Sequence, residues 1–190
     1  FITNDIGRFG RLENCTNHAD ITLNAETVGQ LYFGSLAGVS YGTISGCTNN
    51  GDITFVVSGN VTDNGCVGGI AGYVNVSAQY KEKGEGYAIA FENCVNNGNL
   101  SYTVNGTVKY LTFGGIAGGT SYAAIASESF RGTAKNCVNT GNLSYTFMNG
   151  GSLEDNAGSA GSGNYTNIGG VFGYWAGNIE NCTNGVQADA

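Results

Sequence analysis

The chain repeats one phrase five times. "ENCVNNGNLSY" (92–102) returns almost unchanged as "KNCVNTGNLSY" (135–145), with looser copies at 45–55 and 13–23 and a broken copy at 180–190. A unit recurring every few tens of residues signals a solenoid or array, in which each unit buries its apolar face only against its neighbours. The repeated cysteines are Cys15, Cys47, Cys94, Cys137 and Cys182, separated by 32, 47, 43 and 45 residues. A second element alternates with them: "GSLAG" (34–38), "GGIAG" (68–72), "GGIAG" (114–118) and "GGVFG" (169–173), with "IGRFG" (6–10) as a worn copy. The chain therefore reads as four complete units flanked by half-units.

After each cysteine the sequence alternates. Ile53, Phe55 and Val57 share one frame, as do Leu100, Tyr102 and Val104, and Leu143, Tyr145 and Phe147. Period two means strand. Asn-Gly or Thr-Gly precedes that strand in three units, where a corner calls for positive φ. Each unit is thus expected to run strand, corner, strand, corner. The glycine elements are expected at positions with positive φ or with no room for a Cβ. Proline is absent from all 190 residues, as suits a chain whose backbone N–H groups are needed for ladders. Thirty-three glycines and 11% charged residues fit tight coils with many corners, and no stretch sustains a helical stripe. The fold class is all-β: a β-solenoid, read as a right-handed parallel β-helix of about four coils plus half-coils, with residues 1–190 forming a single domain.

The alternation of "GIAG" (69–72, 115–118), "GVFG" (170–173) and "SLAG" (35–38) with "NC(T/V)N" resembles the GLUG repeats of bacterial surface proteins. The resemblance implies a bacterial extracellular or cell-surface repeat region. It implies no catalysis, because the family's enzymatic activities sit in other domains, and the zinc-peptidase H-E-x-x-H does not occur in this chain.

The five cysteines occupy one equivalent position in successive coils, so neighbours stack about 4.8 Å apart. That geometry makes a column of packed thiols, with Leu12, Ile44, Phe91, Ala134 and Ile179 as a companion apolar column. Metal binding would require several thiolates converging on one ion, and no metal or other cofactor is expected. The spacing leaves coil-to-coil disulfides open. Cys66 stands outside the column, with no partner assigned. Asn17, Asn49, Asn96, Asn139 and Asn184, two residues after each cysteine, read as an amide ladder along a corner.

Little else suggests chemistry. His18, the single histidine, lies near Cys15 in sequence, but nothing marks a third group that would orient it for nucleophilic catalysis. Seven Lys and Arg are scattered, giving neither the clustered basic and acidic face of a polysaccharide-cleaving helix nor, at net charge −7, attraction to nucleic acid or anionic membranes. No apolar stretch is long enough to span a membrane and no signal peptide is evident, so the chain reads as a processed or excised segment. Eight N-x-S/T sequons are read mostly as by-products of the repeat.

Recognition, where present, belongs in the insertions at 74–88, 119–133 and 148–166. Tyr80, Tyr87, Tyr122, Tyr165 and Trp175 are candidate sugar-stacking rings, with Asp155 and Asn156 as hydrogen-bonding groups. The expected function is non-enzymatic: a stalk, adhesin segment or fibre-forming subunit able to stack head to tail on itself or on neighbouring repeats. The alternative is a module that binds surface glycans or host proteins through the insertion loops.

Overall fold

The computed structural model describes residues 5–6, 10–74, 89–119, 132–148, 152–153, 165–175 and 177–185. It is a parallel β-solenoid. A two-residue strand β1 (Asp5–Ile6) precedes the first coil, which contains β2 (Arg11–Glu13), β3 (Thr16–Asn17), β4 (Ile21–Ala25), β5 (Leu31–Phe33) and β6 (Ala37–Ser40). The second coil contains β7 (Thr43–Ser45), β8 (Thr48–Asn49), β9 (Ile53–Val57), β10 (Val61–Gly68) and β11 (Ala71–Val74). The third contains β12 (Ile89–Glu92), β13 (Val95–Asn96), β14 (Leu100–Val104), β15 (Thr107–Gly114) and β16 (Ala117–Gly119). The fourth contains β17 (Gly132–Lys135), β18 (Val138–Asn139), β19 (Leu143–Phe147), β20 (Ser152–Leu153), β21 (Tyr165–Gly169) and β22 (Phe172–Tyr174). Finally β23 (Gly177–Glu180) and β24 (Thr183–Asn184) start another turn.

Among the described residues the strands make five parallel sheets, one per face. The expected two strands per unit are therefore too few. The repeated motifs are themselves strands, but β13 and β16 are only two and three residues long, too short for a period to show. Register follows the repeat, with Tyr102 paired to Phe55 on one side and Tyr145 on the other.

The left-handed corner is one residue before the cysteine. Asn14, Asn93, Asn136 and Asn181 have φ of 54°, 54°, 52° and 50°, and Gly46 takes the same place at 59°. Asparagine is among the few L-residues that tolerate this region, because its short amide bonds locally. Gly51, Gly98 and Gly141, where positive φ was expected, do not have it. They are glycine for lack of space: a Cβ there would overlap the carbonyl oxygen of Ala19, Gly51 and Gly98 respectively, one coil away.

The interior divides into two apolar columns. One is built on Ile44, Cys47, Ile70, Phe91, Cys94, Ile116 and Cys137, the other on Ile53, Phe55, Leu100, Tyr102, Leu111 and Phe113. The chain crosses between them at two places per coil, once at the asparagine after the cysteine and once at the glycine pair. In the second column Phe55, Tyr102 and Tyr145 stack nearly face to face, with centroids 5.0 and 5.4 Å apart and planes tilted by 2° and 9°. The Tyr102 hydroxyl is buried with no hydrogen-bond partner among the described residues. Burial without a partner raises its pKa. Since phenylalanine already holds the equivalent place at Phe55, Tyr102→Phe should be neutral or stabilising by up to about 1 kcal/mol. Urea unfolding checks this, and a loss above about 1 kcal/mol would mean that the hydroxyl is satisfied.

Candidate functional site

The two motifs that dominate the sequence meet in space. Asn17, Asn49, Asn96 and Asn139 each donate one amide hydrogen to the next asparagine and one to a backbone carbonyl, and Asn184 accepts at the end of the row. Asn17 Nδ2 lies 2.8 Å from Asn49 Oδ1, Asn49 Nδ2 2.7 Å from Asn96 Oδ1, Asn96 Nδ2 2.7 Å from Asn139 Oδ1, and Asn139 Nδ2 2.8 Å from Asn184 Oδ1. The second bond runs two residues on, as from Asn96 Nδ2 to Gly98 O at 2.8 Å. Asn49, Asn96 and Asn139 are fully buried. The ladder therefore runs along a corner as expected, and at its three inner members that corner stands inside the coil, between the two apolar columns. Interior amides are tolerable only because the column satisfies each of them.

The glycine pairs make room for it. A Cβ on Gly69, Gly115 or Gly170 would overlap the side-chain amide of Asn96, Asn139 or Asn184. A Cβ on the preceding Gly68, Gly114 or Gly169 would overlap the carbonyl of Ala71, Ala117 or Phe172 across the tight arch. None of the six has left-handed φ, so lack of space is the operative half of the expectation.

The thiol column lies beside the ladder. Cys47, Cys94 and Cys137 are fully buried, while Cys15 and Cys182 are half-buried, so only the inner three meet the expectation of a buried column. All six cysteines are free. The companion column is in register, Leu12 beside Ile44, Phe91 between Ile44 and Ala134, and Ala134 beside Ile179, although Ile179 is exposed. Cys66 is buried in β10 between Tyr32 and Thr112, and burial pushes its thiol up to about 12. Accordingly, a maleimide should modify Cys15 and Cys182 in the native protein and the other four only after unfolding. Mass mapping of the labelled peptides checks this, and rapid native labelling of Cys94 would remove the column from the core.

Solvent-facing polar repeats also join coils. The Asp52 amide donates to Asp20 Oδ1 at 2.8 Å, that of Asn99 to Asp52 Oδ1 at 2.8 Å and that of Asn142 to Asn99 Oδ1 at 3.0 Å. His18 Nδ1 lies 3.4 Å from Asn50 Nδ2, whereas Cys15 Sγ donates to Glu13 O at 3.4 Å. These two contacts do not form a nucleophile–base pair.

Of the candidate ligand-binding residues, Tyr80, Tyr87, Tyr122, Asp155 and Asn156 lie outside the described residues. Tyr165 belongs to β21, paired with Tyr110. Trp175 packs against the first apolar column, its ring 4.6 Å from Phe172 and 6.0 Å from Phe91. Sequence reasoning missed a groove of about 550 Å³ at the first coil, lined by Leu23, Asn24, Ala25, Val28, Gln30, Leu31, Tyr32, Gly38, Val39 and Tyr41. Its residues alternate in sequence like any strand, so nothing in their order marked it. Among the described residues no group of three or more metal-ligating side chains converges, and no helix is long and apolar enough to cross a membrane. Set against family models, curated proteins and solved structures, the chain matches none.

Proposed function

We propose that the chain is a non-enzymatic structural repeat segment of the bacterial cell exterior: a stalk, adhesin segment or fibre subunit whose task is rigid extent. The observation carrying this reading is the uninterrupted amide ladder from Asn17 to Asn184, which crosses every step between coils. The ladder asparagines and the outer Asp20, Asp52 and Asn99 oxygens are all used on the neighbouring coil. Stacking on a neighbouring repeat or a second copy belongs to the same proposal. It is supported by matched edge strands, since β4 and β19 end one sheet at opposite sides and carry apolar residues in the same frame. A glycan- or host-protein-binding module is the second reading, favoured by the groove beside Tyr32 and Tyr41.

Two measurements test the proposal. A structural segment should stay silent on glycan and host-protein arrays, and its coils should survive neutral protease as a large fragment. Saturable binding abolished by Tyr122→Ala or Tyr41→Ala would favour the second reading. Concentration-dependent growth in sedimentation velocity is expected for head-to-tail stacking, and a monodisperse monomer at high concentration would remove that part.

A further inference from the structure

A second polar row runs outside the buried ladder, one residue further along the chain, and it donates in the opposite direction. Thr140 Oγ1 donates to Asn97 Oδ1 at 2.8 Å, Asn97 Nδ2 donates to Asn50 Oδ1 at 2.8 Å, and Asn50 Nδ2 ends the row 3.4 Å from His18 Nδ1. All four residues are exposed. Asn50 and Asn97 are each followed by a glycine whose amide nitrogen has no hydrogen-bond partner among the described residues. The backbone holds both asparagines alike. Asn50 N donates to Asn17 O and Asn97 N to Asn49 O, each at 2.8 Å, and two residues on Asp52 N and Asn99 N donate to the carboxylates of Asp20 and Asp52. The two corners differ most in what faces the side-chain nitrogen. For Asn97 it is a carbonyl oxygen, which has no proton to give, and for Asn50 it is an imidazole.

We propose that Asn50 and Gly51 form a self-modifying site at which His18 acts as the general acid for succinimide formation, with water as the only co-reactant. Gly51 N attacks Asn50 Cγ, and the carbonyl electron pair moves onto Oδ1, where the Asn97 N–H already bonded to that oxygen stabilises the developing charge. The Gly51 amide proton passes to water. His18, carrying a proton on Nδ1, hands it to Nδ2, the Cγ–Nδ2 bond breaks as the carbonyl re-forms, and ammonia leaves. A five-membered imide then joins residues 50 and 51, and the imidazole regains its proton from solvent. Water opens the ring at either carbonyl and leaves aspartate, or its β-linked isomer, at position 50. The protonated imidazole favours the intermediate over the starting amide, because a planar amide nitrogen cannot accept its proton whereas the pyramidal nitrogen formed by the attack can. Asn97 has a bonded carbonyl and a following glycine but no acid, which makes it an internal control. The reaction adds one negative charge to the outer row, two residues from Asp52.

The test ages the native chain in neutral buffer and digests samples at intervals for peptide mass mapping. Deamidation at Asn50 is expected to run at least about tenfold faster than at Asn97, short of the full reach of general acid catalysis because 3.4 Å is a long contact. His18→Gln, which keeps a polar side chain but supplies no acid, should bring Asn50 down to the Asn97 rate. In urea the near-identical strings "NNGD" (49–52) and "NNGN" (96–99) are released from the coil, and the two rates should converge. That comparison uses the parent chain and needs no variant. Equal native rates at the two asparagines, an Asn50 rate unmoved in a folded His18→Gln, or an Asn50 preference that persists in urea would each overturn the assignment.

Discussion

Gly115→Ala is expected to cost at least about 3 kcal/mol, at the severe end of overpacking, and to leave little folded protein at 37 °C. The added methyl would overlap the Asn139 amide on one side and the Gly170 carbonyl on the other. Neither can yield cheaply. The amide is fixed by bonds to Gly141 O at 2.9 Å and Asn184 Oδ1 at 2.8 Å, and the carbonyl belongs to the neighbouring arch. Gly29→Ala is the control, because nothing lies within 4 Å of its Cβ position and its φ is not left-handed. It should be neutral or stabilise by up to about 1 kcal/mol through the unfolded chain. Chemical unfolding of both variants decides the matter. Equal midpoints would mean that the glycine pair does not seat the ladder.

The fold was legible because stacking imposes the same demand on every coil, so a requirement met once is written several times. Coil number, the frame of Leu100, Tyr102 and Val104, and the thiol column with its companion could all be read from that repetition. The role of each repeated residue could not. Asn96 reads as one rung of an amide ladder, but its burial is not written in its own polarity, and only the column of identical amides makes that burial tolerable. Glycine has two uses, and sequence does not separate left-handed φ from lack of space. Gly98 was assigned the first and has the second, while the left-handed place belongs to Asn93. Sites depend on difference and not repetition. Trp175, put forward as a sugar-stacking ring, packs on the apolar column. The first-coil groove, lined by ordinary strand residues, carried no signal.

Asn96→Asp should be the most damaging single-atom change in the amide ladder at neutral pH and should recover in acid. Asn96 accepts from Asn49 and donates to Asn139 Oδ1 and Gly98 O, all within 2.8 Å. A carboxylate keeps the acceptor role and loses both donors, so a buried charge faces two oxygens. An uncompensated buried charge costs about 3–5 kcal/mol. The new carboxyl would therefore have a folded-state pKa raised above its unfolded value of about 3.9. With the raised value in the folded state, that state holds more protons between the two pKa values. Stability then falls as pH rises from the unfolded toward the folded pKa, and returns as pH is lowered. The variant should accordingly be more stable, relative to the parent, near pH 4 than at pH 7, when the protonated carboxyl again donates one hydrogen bond. Asn97→Asp, one residue away and exposed, should change stability by about 0.5 kcal/mol or less, with no comparable recovery. Urea midpoints of both variants across that pH range test the difference. A flat profile for Asn96→Asp would mean that water reaches the ladder and that the two apolar columns are not sealed from each other by amides.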